Sequence, residues 1–108
     1  MALTLSEFKD ELLTVSTNLY HYTAPKNGAV PYLVWAEDTG ADFVADNKHV
    51  EVGIGGTIDL YTRTENDPLK GAVETVLNEL PIGWYLNSTQ YEEDTELIHI
   101  EWVFNIYG

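Results

Sequence analysis

Three histidines, His21, His49 and His99, are the first side chains to weigh for chemistry, because imidazole moves protons near neutral pH and ligates metals. None stands in a close ligand spacing such as His-Glu-x-x-His. His99 and Glu101 share one parity of an alternating segment, which puts them on one face. An acid–base or ligand pair would need that placement, but so does a plain surface hydrogen bond, and the latter is the reading taken. Gly53-Ile54-Gly55-Gly56 suggests a phosphate loop only until its surroundings are read. Such a loop must open a helix whose terminal amides bind the anion, whereas the segment that follows, Thr57-Ile58-Asp59-Leu60-Tyr61-Thr62, alternates as a strand does. Asp38, Asp42 and Asp46 recur every fourth residue without the alternate positions and terminal Glu of a calcium loop, so a solvated acidic loop is expected. Ser6, Ser16 and Ser88 lack a nucleophile elbow. No catalytic constellation assembles, and the expectation is a protein that is not an enzyme and holds no cofactor or metal.

Charge is the most unusual bulk property. Eighteen acidic residues against five basic ones give a net charge of −13 in 108 residues. That surface repels phosphate backbones, which excludes sequence-reading nucleic-acid binding as an expectation. The length fits a single domain over residues 1–108. Apolar residues at 44% indicate a folded chain, and the lack of Cys rules out disulfides and thiolate metal sites. The acidic start, MALTLSEFKDELL, is not expected to be a secretory signal, and no run approaches the roughly 18 apolar residues of a membrane helix. A soluble protein with no membrane partner is expected.

The elements that would carry these residues can be read in order. Thr4 and Glu7 have the form of a capping box. Leu5, Phe8, Leu12, Val15 and Leu19 then make one apolar stripe, which predicts a helix over 5–20. After a loop around Pro25 and Gly28, Tyr32–Ala36 reads as a buried strand ending in the turn Glu37-Asp38-Thr39-Gly40. Residues 41–49 show no period and read as a loop or short arm. A long strand over 50–63 follows, with Gly53, Gly55 and Gly56 predicting a bulge or bend early in it. Asp67 and Pro68 cap a second helix striped by Leu69, Val73, Val76, Leu77 and Leu80, and Pro81 ends it. Strands over 82–91 and 97–107 finish the chain around the turn Glu92-Glu93-Asp94-Thr95, and the last strand has one strongly apolar face. The expected fold is α+β, an antiparallel or mixed sheet with two helices packed on one face, in the order α-β-β-α-β-β.

The stretches Tyr20-His21-Tyr22-Thr23-Ala24-Pro25 and Val30-Pro31-Tyr32-Leu33-Val34-Trp35-Ala36-Glu37-Asp38 resemble a family of small prophage proteins of Gram-positive hosts. Phe43-Val44-Ala45-Asp46-Asn47-Lys48, Thr57–Thr62, Asp67-Pro68-Leu69, Leu86-Asn87-Ser88-Thr89-Gln90-Tyr91-Glu92 and His99-Ile100-Glu101-Trp102 extend the resemblance to about residues 19–106. The family looks like the tail terminator (tail completion, head–tail joining) proteins of long-tailed phages. The resemblance implies a mixed sheet flanked by helices and a ring, usually of six subunits, that caps the tail tube and joins the head. Implied partners are further copies of the chain, the tail tube protein and a head-completion or connector protein. Implied locations are the virion and, during assembly, the host cytoplasm.

Joined to that resemblance, the acidity acquires a use: carboxylates lining a channel keep passing DNA from lodging there, without specific binding. Glu92, Glu93 and Asp94 are the candidates for such a lining. A ring also needs a heterologous contact. The candidate is an arm over 41–56 carrying Phe43, Val44, Val50 and Ile54, whose deletion over 41–49 should abolish assembly and spare folding. A head–tail connector and an acidic DNA-mimic adaptor are the alternatives. A mimic should be a monomer or dimer with its acids aligned on one side, and should bind a basic protein.

Overall fold

The chain was studied as a computed structural model, which describes residues 3–26, 28–38 and 53–106. Thr4 caps helix α1 (Leu5–Leu13): its Oγ1 accepts from the Glu7 amide at 3.0 Å, and the Glu7 carboxylate accepts from the Thr4 amide at 2.9 Å. This is the reciprocal box read from the sequence. The helix stops seven residues short of the expected end at Tyr20. Thr14-Val15-Ser16-Thr17-Asn18 is a run of β-branched and hydroxyl or amide side chains that compete with helical hydrogen bonds. Thr14 Oγ1 turns back to the Glu11 carbonyl at 2.6 Å, and Ser16 Oγ accepts from the Asn18 amide at 3.0 Å. The Asn18 side chain donates to the carbonyls of Ala29 and Pro31, at 2.7 and 2.9 Å, and so fixes where the chain enters a strand absent from the expected order.

That strand is β1 (Leu19–His21), which pairs in parallel with β2 (Tyr32–Asp38). Strand β3 (Ile54–Thr62), helix α2 (Pro68–Glu79), β4 (Ile82–Glu92) and β5 (Leu97–Ile106) follow. The order is therefore α-β-β-β-α-β-β, one strand more than expected. Among the described residues the strands form a single five-stranded sheet in the order β1-β2-β3-β5-β4. All pairs other than β1–β2 are antiparallel, so the sheet is mixed. No helix among the described residues is long and apolar enough to cross a membrane.

Both helices pack on the same face, as expected. Phe8 and Leu12 of α1 and Val73 and Leu77 of α2 meet a carpet of sheet residues that the register puts in rows, Leu33–Leu60–Ile100 and Trp35–Ile58–Trp102. The Phe8 ring lies 4.4 Å from that of Phe104 and 6.1 Å edge-on to that of Trp35. Val15 and Leu19 still reach this core from outside the helix, which is why their spacing imitated one more turn. In α2, Asp67 Oδ1 accepts from the Leu69 amide at 2.9 Å, while Oδ2 accepts from the buried Thr62 hydroxyl at 2.6 Å. Helix start and strand end are thereby tied together.

The glycines neither bulge nor break β3. Gly55 and Gly56 pair in register with Asp38 and Glu37 on one side and with Asn105 and Phe104 on the other. Gly56 is required by close approach: a Cβ there would lie 2.1 Å from the Ala36 carbonyl oxygen. The irregularity sits in β4, between Leu86 and Ser88, and leaves Asn87 without a partner in β5.

Candidate functional site

Helices cover one face of the sheet, and the opposite face carries its polar chemistry. Alternation along β2, β3, β5 and β4 brings residues of this second face into rows. The register gives Tyr32–Tyr61–His99–Gln90, then Val34–Asp59–Glu101–Ser88, then Ala36–Thr57–Val103–Tyr85. The first row is an aromatic ladder. Tyr20 meets Tyr32 edge-on at 6.0 Å, Tyr32 stacks on Tyr61 at 4.9 Å, and Tyr61 stacks on His99 at 4.3 Å. Beyond the third row, Asp38, Gly55, Gly56, Tyr85 and Asn105 border a shallow depression of about 510 Å³.

His99 is the electrostatic centre of this face. Its Nε2 lies 2.6 Å from Asp59 Oδ1, and its Nδ1 lies 3.2 Å from Glu92 Oε2. The hydrogen bond to Asp59 raises the His99 pKa above its usual value, with burial opposing and the two carboxylate charges reinforcing the rise. In the imidazolium form both nitrogens donate to carboxylates, so neither has a lone pair to offer as a base or metal ligand. Beside it, burial pushes the Tyr61 phenol up to about 12, helped by the charges of Asp59 and Glu92. The cluster therefore behaves as a structural clamp joining β3, β5 and the β4 end. Glu101, the sequence-read partner of His99, instead accepts from Asn87 Nδ2 at 2.7 Å. Adjacent strands, and not the neighbouring residue of the same parity, supply the partners. Among the described residues no group of three His, Asp or Glu has metal-binding geometry.

A second histidine–carboxylate pair lies at the opposite edge. His21 Nε2 is 2.6 Å from Glu37 Oε1, and the ring is sandwiched between Trp35 at 4.0 Å and Tyr22 at 4.2 Å. The hydrogen bond from His21 holds the Glu37 carboxyl below its usual pKa, and the Tyr22 hydroxyl also donates to it.

Of the acids expected to line a channel, Glu92 ends β4 and is held by His99 and by Thr95, whose Oγ1 donates at 3.3 Å. Glu93 and Asp94 are exposed at the tip of the β4–β5 turn. Glu96 adopts a positive φ of 58° there and donates its amide to the Glu92 carbonyl at 2.8 Å. The hairpin tip thus exposes Glu93 and Asp94, while Glu92 is held at its base. Of the expected arm, Ile54 is the first residue of β3 and packs against the core. Phe43, Val44 and Val50, together with His49, Asp42 and Asp46, lie outside the described residues. Sequence reading placed β4 but missed β1, and it identified neither as a sheet edge. Their signal was the absence of charge over 14–25 and 80–91 in so acidic a chain.

No family model and no curated protein sequence matches the chain. Among solved structures, the chain is similar to one from the virion of a native gene transfer agent particle. The two share 18% identity and superpose with a TM-score of 0.56 over 89% of this chain and 82% of the other. At that identity the likeness is one of fold, and it spans nearly the whole of both chains.

Proposed function

We propose that this chain is a structural protein of a phage-type particle, one subunit of a ring that ends the tail tube and helps join tail to head. The observation that carries the reading is the near full-length fold likeness to a virion chain. The sequence resemblance to tail terminator proteins over about residues 19–106 supports the narrower role. In this reading the subunit is not an enzyme. It contacts further copies of itself, the tube protein below and a head-completion or connector protein above, and it resides in the virion. The exposed turn acids Glu93 and Asp94 face the path of the DNA and repel it, above Glu92, which His99 holds; replacing Glu93 and Asp94 by Lys slows DNA ejection, and unchanged ejection would remove them from that role.

Negative-stain microscopy of purified protein over a concentration series, with light scattering alongside, tests the ring. Closed rings with a central hole are the expected result, and added tail tubes should acquire a cap at one end. Tubes that stay uncapped, with no rings in the free protein, would overturn the reading. A head–tail connector shares the expected ring and is distinguished by binding the head vertex without capping tubes.

A further inference from the structure

We propose that subunits join edge to edge, the free edge of β4 in one copy pairing antiparallel with the free edge of β1 in the next. The inference rests on the ring reading above and assigns its contact. The sheet order leaves β1 and β4 each with an unpaired outer side among the described residues. Edges are normally blunted by short strands, bulges, Pro or charge, and here β1 is short and β4 carries an irregularity. Charge is the device they lack: up to Glu92, which ends β4, residues 14–25 and 80–91 contain no Asp, Glu, Lys or Arg, in a chain that carries 18 acids.

Exposure points to the same two edges. Among the described residues the exposed large apolar side chains are Leu13, Tyr22, Tyr85, Leu86 and Tyr91. The last three lie on β4, at 57%, 41% and 61% exposure, Tyr22 directly follows β1, at 55%, and Leu13 ends α1. Glu37, on the strand beside β1, and Glu92, the last residue of β4, are engaged by His21 and His99. Two chains of net charge −13 repel each other, so a contact between copies favours surfaces stripped of charge. A basic partner would select the opposite kind of surface, which is why the occupant assigned here is a second copy.

Strand direction fits. β1 runs with β2, β3 runs against them, β5 runs back and β4 reverses again, so β4 is antiparallel to β1. A neighbour rotated about a ring axis therefore brings its β1 to β4 in the antiparallel sense, with the helices of both copies on the same side of one continuous sheet. Leu86 belongs to the helix-bearing face, in the row of Trp102, the side on which Phe8 and Leu12 of α1 pack. The irregularity at Leu86/Ser88 divides β4 into two short runs, and the three residues of β1 fit within either.

The test uses Leu86→Lys, which blocks the β4 edge, and Tyr22→Lys, which blocks the β1 edge beside Glu37. Sedimentation at high protein concentration should show the wild type assembled and each variant folded but monomeric, with self-association weakened roughly 100-fold or more. A 1:1 mixture of the two variants retains one intact junction and should give a species of two subunits. The proposal is overturned if either variant assembles as the wild type does, if the mixture stays monomeric, or if the wild type never associates. Pairing of β4 with β4 would show itself as a Tyr22→Lys dimer. Rings that survive both substitutions would leave the ring reading standing and remove the edges from it. Open filaments sensitive to both substitutions would do the reverse.

Discussion

Replacing Gly56 by Ala adds one carbon atom where the sheet has no room for it. The ideal Cβ would lie 2.1 Å from the Ala36 carbonyl oxygen, 2.7 Å from Phe104 Cζ and 2.9 Å from Glu37 Cα. An unstrained C···O contact is about 3.3 Å or more, so β2 and β3 must part by about 1 Å at that row. Two of the three obstructing atoms are backbone and cannot rotate away. Overpacking costs about 1–3 kcal/mol, and loosening one or two ladder hydrogen bonds adds about 1 kcal/mol each, giving about 2–5 kcal/mol in all. A domain of this size has about 5–15 kcal/mol of stability, so the variant should lose a large share of it. In thermal unfolding followed by circular dichroism, the midpoint should fall by about 15–30 °C. Gly55→Ala is the control. Its Cβ meets nothing closer than Asn105 Oδ1 at 3.5 Å, and no glycine among the described residues has positive φ. That variant should be neutral, or stabilised by about 0.4–1 kcal/mol through the unfolded chain. A Gly56→Ala protein within about 1 kcal/mol of the wild type, or a Gly55→Ala protein equally damaged, would refute the steric argument.

His99 should make stability depend on pH in a defined sense. Its pKa is raised in the folded chain above the usual 6.5 of the unfolded state, so its contribution is full below that value and is lost as pH rises through the folded pKa. Urea midpoints measured across this window should decline for the wild type, whereas His99→Gln should flatten the decline; an unchanged slope would count against the clamp. Asp67→Ala should cost about 2–4 kcal/mol, combining a lost helix cap with a buried Thr62 hydroxyl left without its acceptor. Chemical denaturation checks it, and a loss under about 1 kcal/mol would mean that water replaces the carboxylate.

Much of the fold was legible because its signals are local. Thr4 with Glu7, and Asp67 with Pro68, fix two helix starts through contacts spanning two or three residues. The alternation of β3 and β5 was equally plain, since both strands face a core on one side only. What failed was whatever needed a partner from elsewhere in the chain. Val15 and Leu19 continue the helical spacing, but Asn18 is claimed by carbonyls 11 and 13 residues away, and the chain there becomes β1.

For function, the sequence by itself determined the excess of acid and the two uncharged stretches, because these are properties of composition and order. Only the tertiary structure decided that those stretches are the two edges of one sheet, and that His99 meets Asp59 across 40 residues instead of Glu101 two residues away. The physical reason is register. A side chain's neighbours in a sheet are set by which strands lie beside it, and β1 and β4 become edges only because β2, β3 and β5 pair between them.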